Sequence, residues 1–424
     1  MQHLFLRWSA VAALSTVLAT TFAAGQTAAS VKLIPVVPPI GMNSHIGEYG
    51  SDAARGAAFD KIAASGARWV RLDLYWTRFQ PDGPNTYNGP YLALVDRAVN
   101  QATARGLGVL GVLQNTPAWA NGGRGPNTPP TDVYDYARFA EWAADHFKGR
   151  VSAWEVWNEE NISRFWTGSA AQYVQLLKAA YPAIKTSDPD VPVVFGGTSE
   201  NDDVWIRQAY AAGARGFFDV MATHPYVAGA RAPESPDDGH AHWLTHIQVI
   251  RDLMVANGDG RKPIWFTEFG WSTGTTGVTE QQQADYLVRT IQLVRRRYPF
   301  ISAMFWYNDR NTAMGNDWED NLGLLKRDLS EKPAYTALKA FLANPPPPPP
   351  DPPSPPPPPV PPPPPSPPPP VIAPKQKRSA IAGSVHVRVV GVLSPRERRL
   401  AQRQRARQRA KAASRRHHAR SRRR

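Results

Sequence analysis

Between residues 35 and 343, apolar runs of strand length alternate with amphipathic segments of helix length, and this pair repeats eight times. Such repeats are typical of a parallel sheet, because each parallel strand can be reached only by a crossover connection. The runs end at residue 43 and then cover residues 68–76, 107–113, 151–157, 191–195, 218–223, 263–267 and 301–307. Eight strand–helix units in this span predict a (β/α)8 TIM barrel, a fold of roughly 250 residues that insertions enlarge.

The segments between the strands carry apolar residues at helical spacing and fill each gap. The clearest of them predict helices over residues 52–64, 91–105, 131–147, 172–186 and 280–297. Thr131 is the expected N-cap of the third predicted helix, because its side-chain oxygen can accept a backbone hydrogen bond there.

An open, doubly wound sheet is the alternative architecture. Such a sheet collects its functional residues at one topological switch point. In this chain, carboxylates, amides and aromatic residues lie just past the ends of several different strands. That distribution favours the closed barrel, where sites form at the carboxyl ends of many strands.

The first 29 residues have the features of a secretory signal peptide. A positively charged start, Met1 to Arg7, precedes a mostly apolar run over residues 10–24 and small residues over 23–29. A retained membrane anchor is the alternative, but fifteen apolar residues are few for crossing a bilayer. No later segment is apolar enough to span one. We therefore expect export, a secreted or envelope-associated protein, and a catalytic domain over residues 30–344.

The C-terminal part has a different composition. Of the 43 prolines, 22 fall within residues 345–370. Residues 345–374 therefore predict an extended, polyproline II spacer without a packed core. Residues 375–424 hold 18 Lys and Arg and one acid, Glu397, so this tail carries a net charge of +17, whereas the whole chain carries +14.

The positive charge is thus a property of the tail, and the rest of the chain carries −3. We expect the tail to be largely disordered when free. Its expected partners are anionic envelope polymers, without specific binding of nucleic acid. A charged tail with no partner is the alternative.

Several cofactor and metal chemistries are excluded or weakened. The chain has no cysteine, so disulfides, thiolate nucleophiles and cysteine-ligated metals are excluded. A G-x-G-x-x-G pattern at residues 106–111 lies before and within the third strand, whereas a dinucleotide site needs it after a strand. His240, His242 and His246 form a cluster on a polar segment, where solvated histidines are commoner than metal ligands. We expect no cofactor and no metal.

Two strands end in a carboxylate flanked by tryptophan. The fourth reads WEVWNEEN over residues 154–161 and includes Glu159, and the seventh reads IWFTEFGW over 264–271 and includes Glu268. Cleavage of a glycosidic bond needs one carboxylic acid to protonate the leaving oxygen and one carboxylate to attack or stabilise the anomeric carbon. Two carboxyls close together in apolar surroundings can divide these roles, since proximity and desolvation separate their pKa values.

These motifs resemble the retaining glycoside hydrolases of clan A, which are (β/α)8 barrels with Asn-Glu after the fourth strand and a second Glu after the seventh. The resemblance implies that Glu159 is the acid/base, that Asn158 binds the sugar 2-hydroxyl and that Glu268 is the nucleophile. It covers about residues 41–342. Retention further predicts carboxyl groups about 5 to 5.5 Å apart.

Further clan positions have counterparts. The resemblance implies that Arg71, in the second strand, lies beneath the nucleophile and keeps it ionised. His224 and Tyr226 match the clan's His-x-Tyr, in which the Tyr hydroxyl bonds the nucleophile, and Trp306 would form the floor of the sugar subsite. We also expect substrate contacts from three residues beside strand ends: Asn43, Trp119 and Trp271.

Two departures concern the family within the clan. Glu160 stands where a Pro usually follows Asn-Glu, and the third strand ends in Gln114 and Asn115 where family 5 enzymes often carry a His. With the segment over residues 154–189, these departures make the chain look closer to family 39 and to family 5-like bacterial exoproteins.

The sequence therefore predicts an exported retaining O-glycosyl hydrolase that cleaves β-glycosidic bonds in polysaccharide or oligosaccharide. Three alternatives stay open: a non-catalytic carbohydrate-binding protein, a surface-attachment protein that acts through its basic tail, and a transglycosylase that uses the same two glutamates.

Overall fold

The computed structural model describes residues 37–227, 229–237 and 243–347. Within them eight parallel strands form a closed barrel, in which each strand pairs with the next and β8 pairs with β1. The strands are β1 (Ile40–Ser44), β2 (Trp69–Tyr75), β3 (Gly108–Gln114), β4 (Ala153–Asn158), β5 (Val193–Ser199), β6 (Met221–His224), β7 (Ile264–Phe269) and β8 (Ile301–Trp306). The predicted (β/α)8 architecture is confirmed. The expected signal peptide, most of the spacer and the basic tail lie outside the described residues.

Helices follow the strands on the outside of the barrel. They are α1 (Asp52–Ala64), α2 (Trp76–Phe79), α3 (Gly89–Thr103), α4 (Ala118–Asn121), α5 (Val133–His146), α6 (Ala170–Ser187), α7 (Asp203–Ala211), α8 (Ile247–Ala256), α9 (Glu280–Arg297), α10 (Asp317–Asp320) and α11 (Pro333–Ala343). Among these described helices, none is both long and apolar enough to cross a membrane.

Two local predictions need correction. Asp132, and not Thr131, caps α5, and its carboxylate accepts from the backbone N–H of Tyr134 at 2.9 Å. The fifth strand also runs on to Ser199, although Gly196 and Gly197 have low strand propensity. Pairing with both neighbours extends it, because Asn158 of β4 lies opposite Gly197 and His224 of β6 lies opposite Ser199.

The barrel interior changes from apolar to polar along the strands. Its lower part is a buried cluster that includes Leu110, Ala153, Val194, Trp265 and Phe305. Alternate residues of one strand face the same side, so β2 presents Trp69 to this cluster and then Arg71, Asp73 and Tyr75 toward the carboxyl end. A polar layer therefore lies directly above the apolar one and under the mouth of the barrel.

Gly197 gives this layer room. A Cβ at that position would lie 2.2 Å from Nε2 of His224 and 2.6 Å from Oγ1 of Thr267, closer than real Cβ atoms approach other atoms. The backbone of β5 can thus approach the two side chains only because residue 197 lacks a side chain.

We expect Gly197→Ala to lower the free energy of unfolding by about 1–3 kcal/mol, because overpacked interiors must shift buried groups. Gly89→Ala is the control, since nothing lies within 4 Å of a Cβ added there. At that position in α3, alanine should leave stability unchanged or raise it by up to about 1 kcal/mol. Urea unfolding of both variants measures the difference; equal stabilities would contradict the proposed close approach.

Candidate active site

Two glutamates meet at the mouth of the barrel. Glu159 follows β4 directly and Glu268 is the next-to-last residue of β7, and the two residues are 8% and 7% exposed. One carboxylate oxygen of each, together with a ring nitrogen of His224, lie within 4.8 Å of one another. Glu159 has a φ of 45°, and its backbone N–H donates to the carbonyl of Gly197 at 2.9 Å. The close carboxyl groups follow from strand ends that converge on one face.

Arg71 is the buried cation beneath the pair. Its Nη1 donates at 2.8 Å to Oε1 of Glu268 and, also at 2.8 Å, to Oδ1 of Asn43. Nε donates to Oε2 of Glu155 at 2.6 Å, and Nη2 donates to Oδ1 of Asn158 at 2.7 Å. The guanidinium is a planar fork of donors, so one side chain fixes four acceptors at once.

Two donors hold the Glu268 carboxyl. Arg71 binds Oε1, and the hydroxyl of Tyr226 donates to Oε2 at 2.8 Å. Burial raises the pKa of Glu268, and Glu159 adds to the rise; His224, Arg71 and the Tyr226 hydroxyl act in the opposite direction without cancelling it, so the pKa lies above its ordinary value. Since Arg71 and Tyr226 present protons to both oxygens, the ionised form of Glu268 is the one that this arrangement accommodates.

His224 is the neighbour of Glu159. Its Nδ1 lies 2.9 Å from Oε1 of Glu159 and 3.7 Å from Oε2 of Glu268, and its Nε2 lies 3.1 Å from Oγ1 of Thr267. Burial lowers the pKa of His224, but the charges of Glu268 and Glu159 outweigh burial, and the pKa is raised. The imidazole therefore lies between the two carboxyls, which its Nδ1 faces, and Thr267 in the barrel interior, which its Nε2 faces.

The amide of Asn158 is oriented by Arg71. A guanidinium has only donors, so Oδ1 of Asn158 must face it, and the NH₂ group is left for other partners. Asn158 lines the cleft beside Glu159, so its amide is placed to donate to a bound molecule.

The two glutamates lie in a cleft of about 870 Å³. Five aromatic side chains line it: Tyr75, Phe165, Tyr226, Tyr307 and Trp318. The polar lining residues include His45, Asp73, Gln114, Asn115 and Glu200. A mixture of aromatic faces and hydrogen-bonding groups suits a ligand that has both apolar faces and many hydroxyls.

Part of the polar lining is one hydrogen-bonded cluster. Asp73 bonds His45 at 3.1 Å and accepts from Gln114 at 2.9 Å, and the other ring nitrogen of His45 lies 3.0 Å from the Tyr307 hydroxyl. Burial lowers the pKa of His45, but hydrogen bonding and charge from Asp73 outweigh it, and the pKa is raised. Burial raises the pKa of Asp73, but His45 outweighs that effect and the pKa is lowered. The pair is thus a preformed charged contact in the cleft wall.

An ion pair crosses the rim of the cleft. Both guanidinium Nη atoms of Arg164, in the loop after β4, bond the carboxylate of Glu319 in α10, which follows β8; the Nη2–Oε2 distance is 3.1 Å. Strands β4 and β8 lie on opposite sides of the closed barrel. Asn127 also holds the backbone carbonyl of Arg164 at 2.6 Å. The contact therefore ties together two loops from opposite walls.

Three tryptophans expected to contact a sugar lie elsewhere. Trp306 is fully buried and donates to the carbonyl of Leu322 at 2.9 Å, and Trp271 is 2% exposed and donates to the carbonyl of Arg231 at 2.9 Å. Trp119 packs edge-on against Trp76. None of the three indoles lines the cleft, because each packs into the wall behind it.

Asn43 is also in the interior and not in the cleft. It is 2% exposed, and its Nδ2 donates to the carbonyl of Thr267 at 3.0 Å while its Oδ1 accepts from Arg71. The expected substrate contact is therefore replaced by a contact with the residue that holds Glu268. Asn158, Glu159, Tyr226 and Glu268 do line the cleft.

The cleft residues that sequence reasoning missed had two signals. Asp73 and Tyr75 follow Arg71 at alternate positions of one strand, and this period places all three on the inner face. Trp318 is a single large apolar residue in the acidic segment NDWED after β8. An aromatic residue in such a polar loop has no core to join, which favours a role in the cleft.

Metal binding is an alternative use of the residues around the two carboxyls. Glu159, His224 and Glu268 present three ligand atoms within 4.8 Å, a spacing that a metal ion could use. However, Glu268 already accepts from Arg71 and Tyr226, so a metal ion bound to its carboxylate would compete with a buried guanidinium. Of the histidine cluster named above, His246 contacts Asp237 at 2.6 Å, and His240 and His242 lie outside the described residues.

The fold and the site together define a barrel with a paired-carboxylate centre, the class to which many glycoside hydrolases belong. The family model for cellulase, glycosyl hydrolase family 5, matches residues 34–312, which is more than half of the chain. The chain therefore belongs to glycosyl hydrolase family 5, within clan A.

Relatives and solved structures include families 5 and 39. A beta-xylosidase from Caldicellulosiruptor saccharolyticus is 33% identical over 113 residues, 24% of this chain and 23% of that protein. One from Geobacillus stearothermophilus is 27% identical over 177 residues, 35% and 33% of the two chains. A family 39 glycoside hydrolase from Bacteroides cellulosilyticus WH2 superposes with a TM-score of 0.61 at 26% identity, covering 72% of this chain and 64% of that one.

The matches to the two beta-xylosidases are partial, since the chain spans only 23% and 33% of their lengths. Similarity to both families agrees with the sequence, which differs from the usual family 5 residues at Gln114 and Glu160 and also resembles family 39.

Trp318 supplies the one indole of the cleft lining in the part of the chain that the structure describes. We expect Trp318→Ala to weaken binding of a short oligosaccharide about tenfold, or about 1.4 kcal/mol, because an apolar face that would cover a sugar ring is lost. Calorimetric titration measures the affinity. Trp119→Phe, outside the cleft, should bind as the unaltered protein does; an equal loss in both variants would contradict this assignment.

Proposed function

We propose that the protein is an exported retaining β-glycosidase that hydrolyses β-linked saccharides by double displacement. The observation that carries this proposal is the carboxyl pair: oxygens of Glu159 and Glu268 within 4.8 Å, at the ends of β4 and β7. Retaining enzymes place their carboxyl groups about 5–5.5 Å apart, whereas inverting enzymes leave roughly 6.5–9.5 Å for a water molecule. The short separation supports retention.

The different surroundings of the two carboxyls assign their roles. Glu268 accepts from Arg71 and Tyr226 and is therefore the ionised nucleophile. The carboxyl of Glu159 bonds only His224 among the contacts described above, and we assign the proton to this carboxyl. Each role thus follows from the number and type of donors around the carboxyl.

The reaction then proceeds in two steps. Glu268 attacks the anomeric carbon while Glu159 gives its proton to the departing glycosidic oxygen, and a glycosyl ester forms on Glu268. Glu159, now a carboxylate, takes a proton from water, and the water oxygen attacks the anomeric carbon and releases Glu268. The amide of Asn158 is placed to donate to the sugar 2-hydroxyl during both steps.

For the substrate, we propose short β-linked chains attacked near an end, with β-xylosides as the first class to test. The bridge between Arg164 and Glu319 supports this choice, because it ties the two walls across the rim and narrows the path for a long polymer. The names of the two partial relatives, both beta-xylosidases, support the sugar.

Export and surface attachment belong to the same proposal. A signal peptide over residues 1–29, a proline spacer and a tail of +17 would release the barrel from the cell and keep it near anionic envelope polymers. Loss of the tail should leave the rate on small soluble substrates unchanged, because the cleft is formed by residues before the spacer.

The test is turnover by the full chain on a panel of aryl β-glycosides and β-linked oligosaccharides, xylosides included, beside Glu268→Gln and Glu159→Gln. We expect Glu268→Gln to lose activity on every substrate. We expect Glu159→Gln to lose about 10²–10⁴-fold on oligosaccharides, since they need protonation of the leaving oxygen, and less on aryl glycosides with acidic leaving groups.

The first-formed product should have the anomeric configuration of the substrate, which proton NMR follows directly. Inverted product would overturn the double displacement. Binding without cleavage of any substrate would favour the carbohydrate-binding alternative, and transfer of the glycosyl group to an added sugar in preference to water would favour the transglycosylase.

A further inference from the structure

A chain of buried hydrogen bonds leads from Arg71 to Glu159 by a route separate from Glu268. Glu155 accepts from Nε of Arg71 at 2.6 Å through Oε2, and its Oε1 accepts from the backbone N–H of Gly197 at 3.0 Å. The hydroxyl of Thr267 donates to the same Oε1 at 2.9 Å. Thr267 then lies 3.1 Å from Nε2 of His224, whose Nδ1 lies 2.9 Å from Glu159. All members of this chain are buried.

The direction of each bond follows from Glu155. Each oxygen of this buried carboxyl faces a group that can only donate, Nε of Arg71 at Oε2 and the backbone N–H of Gly197 at Oε1, so Glu155 acts as the acceptor. The Thr267 hydroxyl therefore gives its single proton to Glu155 and turns its lone pairs toward His224. Nε2 must then carry a hydrogen, because a bare nitrogen facing those lone pairs would leave a buried polar group unsatisfied, at a cost of about 1–3 kcal/mol.

We propose that Thr267 is a positioning residue that fixes His224 in its Nε2–H form and thereby keeps one proton between Nδ1 of His224 and Glu159. If the proton between Nδ1 and Glu159 were removed while Nε2 kept its hydrogen, a bare Nδ1 and a carboxylate oxygen would lie 2.9 Å apart with no hydrogen between them. The acid is thus kept loaded for the first step. This inference rests on the proposed function, since Glu159 is the acid only in a glycosidase.

The proton balance of the two steps is closed. In the first step the proton shared by Glu159 and His224 goes to the glycosidic oxygen, and the pair is left one proton poorer. In the second step the same pair recovers a proton from the attacking water. Repulsion between the bare Nδ1 and the carboxylate makes the pair a stronger base at the moment when a base is needed.

The groups that face the His224 ring set the charge around this proton. They are Glu159 from the loop after β4, Glu268 from β7, Arg71 from β2, Glu155 behind Thr267, and Tyr226 from the loop after β6. Across β5 the ring meets Gly197, whose missing side chain gives Nε2 its place beside Thr267. The arrangement around Nε2 is therefore built by three strands.

The first test is the pH profile of kcat/KM for the full chain on an oligosaccharide, which needs the acid. We expect Thr267→Val to move the alkaline limb to lower pH by about 0.5–1 pH unit, since one hydrogen bond is worth about 0.5–1.5 kcal/mol and 1.36 kcal/mol corresponds to one unit. Thr267→Ser keeps the hydroxyl and should restore the unaltered profile. A profile that does not move in Thr267→Val, or moves equally in both variants, would overturn the proposal.

The second test needs no turnover and no variant at Thr267. Long-range ¹H–¹⁵N NMR on the full chain with ¹⁵N-labelled histidine distinguishes a ring with Nε2–H from one with Nδ1–H alone, and His224→Gln identifies the signal. We expect Nε2–H throughout the range of neutral pH; a neutral Nδ1–H ring would overturn the inference. If the NMR result stands and no glycoside is cleaved, the proposed function fails and the tautomer assignment remains.

Discussion

The site depends on one buried cation. Moving the Arg71 guanidinium out of water costs several kcal/mol unless acceptors surround it, so the barrel interior must supply them. It does so with the carboxylates of Glu155 and Glu268 and the amide oxygens of Asn43 and Asn158. Removing one partner of such a group typically costs about 3–5 kcal/mol, because the others are left uncompensated. Stability and the geometry of the cleft are therefore coupled at Arg71.

Two paths of hydrogen bonds connect Arg71 to the carboxyls of Glu268 and Glu159, and they differ in length and in the groups that form them. The direct path places a positive charge and the Tyr226 hydroxyl on Glu268, which accommodates an anion. The other path runs through Glu155, Thr267 and His224, and it ends in a single hydrogen bond to Glu159. The same guanidinium thus contacts the proposed nucleophile directly and reaches the proposed acid only through three other residues, and acetal cleavage needs two carboxyls in such unequal surroundings.

Much of this was predictable from the sequence, because strand periodicity and the ends of the apolar runs are local properties. These properties predict the (β/α)8 barrel, and the resemblance to clan A predicts the contacts of Glu268 with Arg71 and Tyr226. The indoles were not predictable: Trp306 and Trp318 both follow or end the eighth strand region, yet one is packed into the wall and the other lines the cleft. That difference depends on loop packing, which periodicity does not encode. Glu155 was missed because a lone carboxylate within an apolar strand shows no partner in the sequence.

The most direct test of the account is to trap the glycosyl ester. A 2-deoxy-2-fluoro β-glycoside with an activated leaving group slows both steps but allows the first, so an intermediate accumulates. The sugar is chosen by the substrate panel, and the mass of the intact chain is measured before and after reaction. We expect a gain of one fluoroglycosyl group, located on the peptide that contains Glu268 and absent from Glu268→Gln. Turnover without any adduct, or an adduct on another residue, would contradict the assignment of the nucleophile.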